Sequence, residues 1–206
     1  MHTTRFITAD EVHLIKTLLS KDRRSVRVEL TDEQLDKKIA ILKERIQKGI
    51  THISMVFDEN DSPLCMYVGF ELPRIGGWYI GLTKVLESTN HFSKTAPMMV
   101  PALELMISRM ESKGYFKFWM TAPESLHNIR NKIIKKHSPM ARRYSWFDES
   151  VAPRGQLTNI EAFDIFRDVC EWSDVVVRMF VLKQEHRVEI LKGQNYTDYR
   201  GTVIDT

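Results

Sequence analysis

The residues best placed to do chemistry lie between positions 125 and 145. This stretch holds six cations, Arg130, Lys132, Lys135, Lys136, Arg142 and Arg143, and neither Asp nor Glu. His127 and His137 add charge that depends on pH, because an unperturbed imidazole titrates at about pH 6.5. Such a run reads in three ways. It is the solvated face of a helix, a contact for an acidic substrate or partner, or a nucleic-acid contact whose affinity falls with salt. Aromatic side chains able to stack on bases are few there, limited to Tyr144, Trp146 and Phe147.

Other constellations are missing. Cys65 and Cys170 each sit in an apolar segment, not in a CxxC pair, and neither has a His three or four residues away. They read as two buried thiols, with no metal site. The glycines around Arg74-Ile75-Gly76-Gly77 and Gly77-Trp78-Tyr79-Ile80-Gly81 do not form GxGxxG. There is no GxSxG elbow, HExxH, Walker A or RNP motif.

The chain has 206 residues, 43% hydrophobic and 28% charged, with 30 basic and 27 acidic side chains. That fits one globular domain with a proper core. It excludes a disordered chain, a collagen-like chain and a disulfide-stapled miniprotein. The net charge of +3 is not extreme. Without the six cations above, 24 basic face 27 acidic residues, a balance of −3. The positive excess is therefore local. The first six residues carry no signal-peptide pattern. The longest apolar-rich run, residues 175–182, is far short of the roughly 20 needed to span a bilayer. The expectation is a cytoplasmic protein with no membrane partner.

The elements that must position these groups can be read from pattern. Thr8-Ala9-Asp10-Glu11 and Thr31-Asp32-Glu33-Gln34 have the form of capping boxes. The first opens a helix with Val12, Ile15, Leu18 and Leu19 on one face. The second opens a helix with Leu35, Ile39, Leu42 and Ile46 in line, stopped near Gly49. Residues 52–57, 64–71 and 78–85 are β-prone and separated by turn chemistry, which predicts an antiparallel meander. A polar loop, 87–94, precedes a helix from Thr95, whose stripe of Met99, Leu103, Met106, Ile107 and Met110 ends at Gly114. Strand 116–121, a basic helix from Pro123 to about His137, strand 144–147, a helix over 159–170 and strand 174–183 follow. Residues 184–206 form a polar tail with weak pattern.

A helix between two strands of one sheet needs a crossover, so part of the sheet is parallel. The expected class is α/β (α+β), a mixed, mostly antiparallel sheet flanked by helices. The order of elements over residues 3–183 resembles the GNAT acyltransferase superfamily, which implies a single acyl-CoA N-acyltransferase domain followed by the tail. The resemblance implies transfer of an acyl group from acetyl-CoA or another acyl-CoA to a small-molecule or protein amine. The alternative is a non-catalytic module of the same fold, which binds an acidic partner or nucleic acid through residues 130–143.

The resemblance also implies a site. The pyrophosphate would lie where the third meander strand runs into the following helix, because a helix N-terminus offers free N–H groups and positive potential. That places Val85, Lys94, Thr95, Ala96 and Met98 at the cofactor, with Arg130 reaching a phosphate such as the 3′-phosphate of CoA. The family's Arg/Gln-x-x-Gly-x-Gly/Ala signature is replaced by Lys94-Thr95-Ala96-Pro97-Met98-Met99, with Pro97 and Met99 at the glycine positions. The pantetheine arm would enter a splay between strands 78–85 and 116–121. Acyl transfer to an amine needs a base and an acid. Glu71, at the end of a meander strand, is the candidate base, and Tyr144 or His127 the candidate acid. The positive segment is expected beside this cofactor edge.

Overall fold

The computed structural model describes residues 2–21, 31–73, 76–85, 92–123, 132, 134–147 and 175–191. A seven-stranded sheet runs through it in the order β1-β2-β3-β4-β5-β7-β6. The strands are β1 (Thr3–Phe6), β2 (Thr51–Phe57), β3 (Pro63–Leu72), β4 (Gly77–Val85), β5 (Lys117–Pro123), β6 (Tyr144–Phe147) and β7 (Val175–Leu182). Every neighbouring pair is antiparallel except β4 and β5. That parallel pair follows from α3 (Phe92–Ser112), which leaves β4 and must cross the sheet before feeding β5.

Two layers of helix cover the sheet. On one face lie α1 (His13–Lys21) and α2 (Asp32–Gln47); Val12, just before α1, with Ile15, Leu18 and Leu42 packs onto Met66, Val68, Phe70, Leu72, Tyr79 and Trp119. On the other, α3 packs its predicted stripe onto Tyr67, Trp78, Ile80, Phe118 and Met120. The period-two alternation of β3 divides its side chains between these cores. Gly69 lets α3 come close, because a Cβ there would stand 2.6 Å from the Met106 sulfur.

Both capping boxes form. Thr8 donates its N–H to the Glu11 carboxylate at 2.9 Å, and Thr31 exchanges bonds with Gln34. The first box opens a 3-10 turn, Ala9–Glu11, that leads into α1. Gly49 ends α2 with φ at +70°, a conformation glycine adopts without a Cβ penalty.

Three features depart from the sequence reading. The edge strand β1, only four residues long, precedes the first capping box. The first eight residues of the expected tail, Gln184–Leu191, form α5, numbered after α4 (Pro139–Arg142). And α3 begins at Phe92 instead of Thr95, so Pro97 and Pro101 lie inside it. Their missing N–H groups leave the carbonyls of Ser93 and Pro97 without intrahelical donors. The expected helix over 159–170 lies outside the described residues. Residues 134–137, the end of the expected basic helix, are helical.

Candidate functional site

The site begins with a disagreement between two strands. β4 and β5 pair over three rungs only, Trp78 with Phe118, Tyr79 with Trp119 and Ile80 with Met120. Both strands then continue. β4 runs on to Val85, still paired on its outer side through Thr83 with Tyr67, Lys84 with Met66 and Val85 with Cys65. β5 runs on to Pro123, paired on its outer side with β7 through Thr121, Ala122 and Pro123. Among the described residues no strand lies between the facing edges of these extensions, which is the splay expected at this place.

Local residues explain the parting. Between the rungs Gly69–Ile80 and Tyr67–Thr83, β4 advances three residues while β3 advances two. The extra residue is a bulge at Gly81–Leu82, directly after the last rung with β5, and bulges bend a strand and increase its twist. At the other end Gly77 allows the strands to close. A Cβ there would lie 2.8 Å from the Lys117 carbonyl oxygen and 2.5 Å from the Trp119 ring. A strand edge with free N–H and C=O groups takes an extended, amide-bearing ligand by strand addition.

The N-terminus of α3 points to the same end. At its other end Lys113 reaches the Gly49 carbonyl and His52, before and at the start of β2. Eleven residues earlier the Ala102 carbonyl accepts from Ser54, in the middle of β2, at 2.8 Å. The helix thus runs back toward the open end of β4 and β5. Its orphan donors are the N–H groups of Phe92, Ser93, Lys94 and Thr95. Among the expected cofactor contacts, Val85 ends β4 at the open edge, and Lys94 and Thr95 carry orphan N–H groups. Ala96 and Met98 fall inside the helical ladder, and Met98 packs against the α3-side core. Arg130 and His127 lie outside the described residues.

Glu71 stands beside the first rung of the closed end, since its β4 partner is Trp78. Its Oε1 is 2.7 Å from His52 Nε2 and also meets the Lys113 ammonium. Burial opposes its charge, but His52 and Lys113 together hold the carboxyl below the ordinary carboxylate range. The His52 ring stacks on Trp78 at 4.7 Å. Tyr144 lies on β6, buried, and donates its hydroxyl to Glu111 at 2.8 Å. Burial, then the Glu111 charge and hydrogen bond, push its phenol far above the usual range. Arg143 clamps the same Glu111 with two bonds of 2.8 Å. The structure therefore does not bring Glu71 and Tyr144 together. Each ties a separate group to the C-terminal turn of α3.

His52, Lys113 and Glu111 were absent from the sequence reading. Their partners lie 19 to 42 residues away, so no local pattern announces them. Gly81 did carry a sign, because a lone glycine in a strand pattern marks a bulge. The described part of the basic segment corrects another expectation. Ile134 and Lys135 lie over Phe118 and Met120, and the segment then ends where β7 ends and β5 begins, with Lys183 donating its N–H to the Arg143 carbonyl and Leu182 to Phe116. Arg143 and Tyr144 are thus at the closed end of the split, away from the cofactor edge.

No family model matches the chain, and no curated protein matches it in sequence. Solved structures do. An acetyltransferase of the GNAT family from Staphylococcus aureus Mu50 superposes with a TM-score of 0.56 at 6% identity, covering 89% of this chain and 100% of that one. The Salmonella typhimurium acetyltransferase that modifies the N-terminal serine of 50S ribosomal subunit protein L7/L12 gives 0.55 at 12%, covering 88% and 95%. The PaiA N-acetyltransferase of Thermoplasma acidophilum, in complex with coenzyme A, gives 0.52 at 7%, covering 87% and 98%. With a meander, a crossover helix and one split parallel pair in the same order, this chain has the GNAT fold, in a divergent form without the glycine-rich pyrophosphate signature.

Proposed function

We propose that the protein is an N-acyltransferase that takes an acyl group from acetyl-CoA or another acyl-CoA and delivers it to an amine. The observation that carries this reading is the split between β4 and β5 beyond Ile80 and Met120. Its unpaired edges suit an extended pantetheine arm with its two amides. The orphan N–H groups of Phe92 to Thr95, at the same end, suit the pyrophosphate. Acyl-CoA itself supplies an activated thioester carbonyl. The likeness to acetyltransferases that act on a ribosomal protein, and to one holding coenzyme A, supports the same class.

In this reading Val85, Lys94 and Thr95 hold the cofactor and Arg130 supplies a further cation. Glu71 and Tyr144 are positioning residues. Glu71 is ionised and already paired with a cation and an imidazole, and the Tyr144 hydroxyl is committed to Glu111. His127 follows Pro123, the open end of β5, by four residues. It is the group to which we assign proton transfer at the split.

Titration calorimetry with acetyl-CoA tests the reading. Saturable heat with one site per chain supports it. Absence of heat and of any thermal stabilisation at millimolar ligand overturns it.

A further inference from the structure

The charges of this protein are arranged unevenly. In the half built by β1 to β3 and the helices around them, six cations are matched by carboxylates. Arg5 pairs with Glu11, Lys16 with Asp36, Lys37 with Glu33, Lys43 with Asp10, Lys48 with Glu44 and Lys113 with Glu71. At the closed end beyond β7 the pattern stops. Lys132, Lys135, Lys136 and Arg142 belong to the basic segment, and Lys183 and Arg187 follow β7; Lys135 feels the charge of Lys183, and the Lys183 N–H donates to the Arg143 carbonyl. Among the described residues none of these six has a carboxylate partner. Over residues 132–147 and 183–187 the single acidic residue is Glu185.

The platform under these cations is fixed. Glu104 of α3 accepts from the buried Ser138 hydroxyl at 2.6 Å, and that hydroxyl also caps α4 by accepting from Ala141 N–H at 3.0 Å. Glu111 takes Arg143 and Tyr144. The two carboxylates of α3 facing this segment are thus spent on holding it, and among the described residues no carboxylate compensates the outer cations. Lys135 is also pressed by burial and by the nearby charge of Lys183, which together lower its ammonium pKa. Like charges held close without a counter-ion form a surface that gains from an external anion.

The chemistry of the patch selects among anions. Protein interfaces centre on apolar and aromatic anchors and are depleted in Lys. Here four of the six cations are Lys, and the only exposed large hydrophobic side chain among the described residues, Ile41, lies on α2. A repeating phosphate backbone needs no apolar anchor and is met by Lys as a point charge. We propose that the closed-end surface formed by Lys132, Lys135, Lys136, Arg142, Lys183 and Arg187 binds the phosphate backbone of a nucleic acid, at a place separate from the acyl-CoA split. Both ligands then bind at once.

Fluorescence anisotropy of labelled 20-nucleotide single-stranded and duplex oligonucleotides tests this, on the full chain. With about four phosphates engaged, single-strand affinity falls roughly 50-fold between 50 and 200 mM salt. Whichever of the two oligonucleotides binds more tightly identifies the form of backbone the surface takes. K132Q/K136Q/R142Q changes three exposed residues, so folding is not at stake. It weakens binding at least tenfold and flattens the salt slope. K37Q/K48Q removes two paired cations, one on α2 and one at its C-cap, and leaves affinity unchanged. Acetyl-CoA at saturation does not compete. Failure of both oligonucleotides to bind, salt-independent binding, equal affinity of the triple variant, or competition by acetyl-CoA each overturns the proposal. So does poly-glutamate displacing the oligonucleotide at equal charge concentration, which would indicate an acidic protein partner. Oligonucleotide binding is read without acyl-CoA, so its failure is distinct from failure of the transferase reading.

Discussion

Ile80 and Met120 form the last rung between β4 and β5, and everything proposed for this protein's chemistry depends on what happens one residue later. At Gly81 the β4 backbone takes up an extra residue against β3, and the strand turns away from its parallel neighbour. The sheet stays continuous on both outer sides. It therefore presents two open edges inside an otherwise ordered structure.

The closed end depends on Gly77. Gly77→Val forces a side chain against the Lys117 carbonyl oxygen and the Trp119 ring. Overpacking of this kind costs about 1–3 kcal/mol. The urea midpoint should fall accordingly, and acyl-CoA affinity should fall with it, because the strands can no longer close below the split. The substitution Gly49→Ala, at a helix end with φ of +70°, should cost about 1 kcal/mol and leave acyl-CoA affinity alone.

Glu71 makes stability depend on acid pH. Its carboxyl is held lower in the folded chain than the reference value of 4.5. A depressed carboxylate contributes stability that is fully present above the unfolded-state value and lost as pH falls through the folded one. Urea midpoints should thus be flat near neutrality and decline below about pH 4.5, and Glu71→Gln should reduce that decline. At pH 7 the same substitution should cost about 2 kcal/mol, since it leaves Lys113 half-buried without its carboxylate. A positioning residue predicts that kcat of the surviving folded enzyme changes less than about threefold, whereas loss of a general base costs about a hundredfold or more.

Tyr144→Phe separates packing from catalysis in the same way. The ring and its contacts with Phe118 stay, and the hydroxyl bond to Glu111 goes. Loss of one bond to a charged acceptor costs about 1.5–3 kcal/mol, reduced here because Arg143 still holds Glu111. Thermal unfolding should show that loss while the pH–rate profile keeps its shape.

His127→Ala should lower kcat by about a hundredfold. The acid limb of the wild-type pH–rate profile should disappear. An unchanged profile would return the proton-transfer role to another group.

Much of this architecture was legible because it is written locally. Thr31 and Gln34 are three residues apart and form the cap their types announce. Met99, Leu103, Met106, Ile107 and Met110 recur at helical spacing, and all are buried in one core. β1 was not legible, because four residues on an edge carry too little alternation to stand out. The start of α3 was read three residues late, because Pro97 and Pro101 argue against an interior position that the surrounding helix nonetheless imposes. The site divides along the same line. The splay that the family resemblance implied falls where the pairing of β4 and β5 stops. The partners of Glu71 and Tyr144 were not legible, because His52, Lys113 and Glu111 reach them only through the assembled sheet and the last turn of α3.

Hydrogen exchange at β4 is the most direct test of the central claim. In the free protein the split-facing amides of residues 81–85 have no strand partner among the described residues, so part of this segment should exchange fast while residues 78–80 stay protected. Addition of acetyl-CoA should slow exchange specifically in residues 81–85 and in the first turn of α3. Acetyl-CoA that binds yet leaves residues 81–85 exchanging as before, with protection elsewhere, would contradict the account.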